Sequence, residues 1–374
     1  TFNGDRDSSG LGAVSLTGQA VTFNSPLVAG SGGLTINGAA TSFAGGVTAG
    51  AAGMLINATS ITFDDAVIAG AGGITLTGTA VTFGNDVTVS GPGAVTVTNS
   101  GTLTIADGAP VIAPGGFTQN GTGPVSLGAN IRTTGTPISF ARAVTLIDTA
   151  SDLVTLSTTD GGAASGASIA FASTLNAGSP GAQSLTLDAG TSGDATFAGV
   201  VGATRLGTLT ITNARDAIAS SAVSASAIRQ IAGQRLTRFG AAVSTTGAGG
   251  IDLSGSAFEF NGTLSAGAAP LLISGADVTL ASTATAGTIS INGAALLFGG
   301  SLTSTGADSS YSGTTISFAD DVSSAGTLSI TNSTLAGNAA ASGAAIRNES
   351  NLTLTGSTLS GNTAAASGGA ISNT

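Results

Sequence analysis

"GSGGLTINGAATSFAGGVTAGAAGMLINATSITFDDAVIAGAGGITLTGTAVTFGNDV", residues 30–87, writes nearly the same unit over and over. Phe23, Phe43, Phe63 and Phe83 fall 20 residues apart, and so do Gly33, Gly53 and Gly73. Each unit holds two short alternating runs, such as Ile74-Thr75-Leu76 and Val81-Thr82-Phe83, with a third near Val87. Alternation at period two buries one face of each run, as in a strand. Glycine at the corners allows the positive φ angles of tight turns. A unit this short cannot cover its own apolar face, so successive units must stack. The apolar spacing is two, not 3.6, which excludes a helical repeat. The stretch predicts an all-β chain folded as a parallel β-solenoid of about 20 residues per coil, with each Phe above the last in an internal ladder.

Working outward, the 20-residue grammar covers residues 1–110. Over 111–238 the period loosens: Phe140, Phe171, Phe197 and Phe239 are unevenly spaced, which predicts longer loops, for example at 158–168. The segment 221–239 carries Arg229, Arg235 and Arg238, and its Val, Ser and Ile alternation favours strand over helix. Regularity returns over 239–332, with Phe260, Leu280 in the place of a Phe, then Phe298 and Phe318. Residues 333–374 change to units of about 24 residues. There Gly337-Asn338 and Gly361-Asn362 correspond, as do Ala345-Ile346 and Ala370-Ile371 once one residue is inserted in the second copy. An Asn recurring at a turn can bond its neighbours along the stack, which marks Asn338 and Asn362 as ladder residues beside the phenylalanines.

Composition narrows the function. The 374 residues include 59 Gly and 14 Phe but no Cys, His or Trp, and the net charge is −10. Every one of the 9 basic residues is Arg. Such a charge balance speaks against nucleic acid and against anionic lipid. No apolar run reaches the ~18 residues of a membrane span. Hydrophobic residues make up 41% and recur at fixed intervals, unlike a disordered linker. Lacking Cys, the chain has no disulfide framework and no thiolate metal site, which suits export. The chain begins at Thr1 without a leader and stops in mid-pattern at "GGAISNT", so a longer parent chain is expected.

The search for chemistry yields turns. Without His or Cys the usual general bases and nucleophiles are missing, so no enzyme is expected. Asp64-Asp65, Asp320-Asp321 and Asn85-Asp86 each follow a ladder Phe closely and read as solvated turns. Calcium is the one ion those carboxylates leave open; Asn24 and Ala44 at the matching places, and the missing GGxGxDxUx nonapeptide, speak against it. No cofactor, catalytic or metal-ligating residue is therefore assigned. The T-x-T runs at Thr75 and Thr77, and at Thr96 and Thr98, would suit an ice-binding face, but Leu55 breaks the column. Thr is in any case a good exposed strand residue.

Two resemblances emerge from these residues. The coils from about 11 to 330, best seen in "SLTLDAGTSGDATFAGVVGATRLGTLTITNA", resemble the repeat regions of filamentous-haemagglutinin-type exoproteins and other giant bacterial adhesins. The last coils resemble polymorphic outer-membrane protein repeats, marked by GGAI and FxxN. Gly368-Gly369-Ala370-Ile371 matches GGAI, Gly343-Ala344-Ala345-Ile346 departs at its second Gly, and Leu335 and Leu359 stand where that family has Phe. The resemblance implies a right-handed parallel β-helix, secreted or held at a bacterial surface. The expected role is a rod or stalk segment of an adhesin or extracellular fibre. Two other roles stay open: a homopolymeric filament, or a module binding a host or neighbour-cell ligand or glycan through 111–238.

Overall fold

The computed structural model describes residues 6–8, 12–306, 308–320, 322–343, 346–348 and 350–373. They form an all-β, parallel β-solenoid of about 17 turns with roughly 20 residues per turn. Among the described residues there is no α-helix, only a 3-10 turn at Asp160–Gly162. The chain divides into two compact units, Thr1–Gly199 and Val200–Thr374.

In the first unit a typical coil has three strands, Ile74–Gly78, Ala80–Phe83 and Val87–Val89. Their inward residues Ile74, Leu76, Val81, Phe83, Val87 and Val89 are at most 2% exposed, while Thr75 and Thr77 face out. Three preceding coils differ from the expected pair of short runs. Val14–Phe23, Leu34–Phe43 and Met54–Phe63 each join the first two strands without a break. Val14 to Phe23 pairs residue for residue with Leu34 to Phe43, and that strand with Met54 to Phe63, so no register slip is tolerated. At the corner before the first strand, Gly33, Gly53 and Gly73 have φ of +77°, +80° and +75°. A Cβ at Gly53 would also collide with the carbonyl of Gly73 in the next coil, so glycine is required there twice over.

The phenylalanines correct the sequence reading. Phe23, Phe43, Phe63 and Phe83 stack on the second strand, with centroids 5.0, 5.0 and 5.6 Å apart. Their column then continues as Ile105, Leu127 and Leu146. Phe140, Phe171 and Phe197 belong to the first strand instead, below Leu76, Val97 and Gln119. They stack just as closely, at 5.3 and 5.3 Å. Their uneven spacing in sequence reflects extra residues at the corners, such as those around Asp160–Gly162, while the strands keep register, Ile138 on Ile169 on Ala195. Uneven spacing is not uneven stacking.

The second unit has its own ladder. Phe239, Phe260, Leu280, Phe298 and Phe318 pair in succession, with Leu280 standing in for a ring. Phe298 and Phe318 lie 5.1 Å apart. Tyr311 meets both edge-on at 5.7 Å and is fully buried. The 221–239 segment is strand, Val223–Gly233 and Leu236–Phe239.

Candidate functional site

The ladder residues lie inside. Phe23, Phe43, Phe63, Phe83, Phe298 and Phe318 are at most 2% exposed, so none offers a ring to a ligand. Asn338, 4% exposed, succeeds the last ring of the second unit. Its Oδ1 accepts from the Phe318 N–H at 2.9 Å, and its Nδ2 donates to Asn362 Oδ1 at 2.9 Å. Asn362 Nδ2 in turn donates to the Leu335 carbonyl at 3.0 Å. Each amide thus caps backbone groups of the coil beside it, which is a structural duty. Ile346 pairs with Ile371, and the register shifts by one residue between Ala340 and Ser342, where the second copy carries its extra residue. Ala344, Ala345 and Asp321 lie outside the described residues.

The acidic turns gather no site. Asp64 stacks beside Ala44 and Gly84, as the backbone bonds from Asp64 N to Phe43 O and from Gly84 N to Phe63 O show. Asp65 Oδ1 accepts from the Ala66 N–H at 2.7 Å, and Asn85 Oδ1 accepts from the Asp86 N–H at 2.8 Å, which closes each turn on itself. Among the described residues no group of three or more His, Cys, Asp or Glu converges on a point that could hold a metal ion. Acids lie in register with two arginines of 221–239, Asp252 with Arg229 and Glu259 with Arg238, and Arg235 Nη1 lies 3.7 Å from Asp216 Oδ2. Leu55, 40% exposed, interrupts the outward column between Thr35 and Thr75.

What sequence reasoning missed is a groove in the regular coils of the first unit, about 550 Å³ in volume, along the corner between first and second strands. Its floor is Ala58, Gly78 and Asn99, one flank is Asn57, Thr77, Thr98 and Asn120, and the other is Thr59, Thr79, Ser100 and Thr122. The floor stays low because a Cβ on Gly78 would come within 2.5 Å of the Ala58 carbonyl. Rungs bond along the groove: Asn57 Nδ2 to Asn37 Oδ1 at 3.1 Å, Thr98 Oγ1 to Asn120 Oδ1 at 2.6 Å, and Ser100 Oγ to Thr79 Oγ1 at 3.3 Å.

Beneath its far end sits a buried amide pair. Gln119 Nε2 donates to Asn99 Oδ1 at 2.7 Å and to the Gly121 and Gly123 carbonyls, while Gln119 Oε1 accepts from the Ala141 N–H at 3.0 Å. Asn99 Nδ2 donates to the Gly101 and Pro124 carbonyls. Both residues are 1% exposed, and together they hold the two corner loops rigidly. Their signal was present: in "VTVTN" and "FTQ" the polar amide falls on the inward phase of the alternation.

No family model, curated protein or solved structure matches the chain. No helix among the described residues is long and apolar enough to cross a membrane.

Proposed function

We propose that this chain is a rod or stalk segment of a large exported bacterial surface adhesin or extracellular fibre. The observation that carries the reading is the coil-on-coil parallel stacking around ladders of Phe and Asn, in a chain of which only 7% is charged. Such a body gains length with each repeat and couples mainly to its nearest neighbours. The resemblance to adhesin repeat regions and the Cys-free composition support an exported location at a bacterial surface. A non-catalytic role is supported by the missing His and Cys and by the Asp65 carboxylate being spent on closing its own turn.

Electron microscopy and sedimentation of the purified chain test it. The expected result is an elongated, monodisperse particle whose sedimentation does not change with concentration. Polymers that lengthen with concentration would favour the filament reading, and release of sugars from any polysaccharide would overturn the non-catalytic one.

A further inference from the structure

We infer that the groove over Ala58, Gly78 and Asn99 is a binding site for a linear, uncharged polysaccharide. The inference does not rest on the stalk reading and places ligand contact in the regular coils, not in 111–238.

Four features of the groove point to that chemistry. First, no residue lining it is charged, although the chain carries a net charge of −10. An anionic polymer would gain nothing there, and a cation would find no carboxylate. Second, its flanks present hydroxyls and amides, which both donate and accept, as a polyol requires. The hydroxyls of Thr59, Thr77 and Thr122 are used in no hydrogen bond among the described residues and stay available. Third, the rows repeat at the coil spacing of about 4.8 Å, close to the advance of one sugar ring in an extended chain, so successive rings meet equivalent rungs. A short compact ligand would use none of that repetition. Fourth, the groove is held in shape: the Gln119–Asn99 amides fix its far loops, and the Asn57–Asn37 and Thr98–Asn120 bonds fix its flank. Rigid walls spare a ligand the entropy of ordering them.

The other polar surface fits this ligand less well. Around Arg229 and Arg238, with Asp252 and Glu259 in register on the neighbouring coil, a neutral chain would have to strip water from charges of both signs.

The test is calorimetric titration of the whole chain with neutral hexasaccharides (cello-, laminari-, manno-, xylo- and chito-hexaose) and with an oligogalacturonate of the same length. The expected result is binding of at least one neutral hexaose, tighter than its trisaccharide, and unchanged by added salt because no charge is involved. Thr77→Arg, which fills the groove from an exposed position, should weaken it by about ten-fold or more. Thr77→Val keeps the shape and removes one hydroxyl, so it should weaken binding by a smaller factor without disturbing the fold. Thr75→Arg, outward on the same strand but off the groove, should bind as the parent does. Circular dichroism confirms that each variant is folded. The proposal is overturned if no neutral hexaose binds, if Thr77→Arg and Thr77→Val both bind as the parent does, or if only the oligogalacturonate binds and salt abolishes it.

Discussion

Within the first unit, the coils carrying Phe23 to Phe83 and those carrying Phe140 to Phe197 solve one packing problem in two ways. In the first set, ring spacing in sequence and in space agree, and the rings sit on the second strand. In the second set the sequence spacing wanders, yet the rings on the first strand are 5.3 Å apart and nearly parallel, at 15° and 4°. What is selected is contact between neighbouring coils, because burial of each ring depends on the ring above and below it. The number of residues at a corner is free to vary as long as the strands re-enter in register. Between the two sets the core changes hands at Gln119, a polar rung roofed by Val97 and followed by Phe140.

If the two ladders are equivalent, Phe63→Ala and Phe171→Ala should be equally damaging. Each empties a fully buried ring site and should cost about 3–5 kcal/mol, read by urea unfolding. Limited proteolysis should then nick only the adjoining coils. A mild Phe171→Ala beside a severe Phe63→Ala would break the comparison. Gln119→Ala at the changeover should cost about 2–3 kcal/mol, since it leaves Asn99 Oδ1 and the Gly121 and Gly123 carbonyls without their donor; the same unfolding assay checks it. Thr41→Val should go the other way. Thr41 is 1% exposed with an unbonded hydroxyl in a column otherwise Val21, Ile61 and Val81. Its replacement should raise stability by about 1 kcal/mol, visible as a higher denaturant midpoint. Smallest of all should be a Gly-Ser insertion between Ser179 and Pro180, both exposed at a corner of the second set. It should cost less than the about 0.6 kcal/mol of a doubled loop, while the same insertion before Thr79, whose N–H bonds Thr59 O at 2.9 Å, should cost measurably more in thermal unfolding.

Much of this fold could be read from residues 30–87, because a solenoid's contacts repeat with its sequence. Period-two alternation located Ile74, Leu76, Val81 and Phe83 correctly as inward, and the 20-residue repeat implied Phe43 beneath Phe63. The exchange of Phe between strands was not legible. A Phe at one inward position looks the same as a Phe at another unless the corners between them are counted, and uneven corners hide that count. The Asn338–Asn362 bond could be expected, since both follow a turn glycine at one repeat's distance. The groove could not: Thr77 and Thr98 stood out only as an outward strand face, and the concavity forms where stacking lines up the low row Ala58, Gly78 and Asn99 between them and Thr59, Thr79 and Ser100.

Tyr311 has an optical consequence. It is the chain's single Tyr, there is no Trp, and its ring lies edge-on to both Phe298 and Phe318. Tyrosine emission, excited where Phe does not absorb, therefore originates at one point in the second unit and is blind to the first. Burial pushes its phenol well above the ordinary value of 10.0. In the folded state it stays protonated while the unfolded chain ionises, so this group's contribution to stability is whole below about pH 10 and declines above it, by about 1.4 kcal/mol per pH unit. A step in phenolate absorbance during alkaline titration would then time the opening of that one unit, with no label attached.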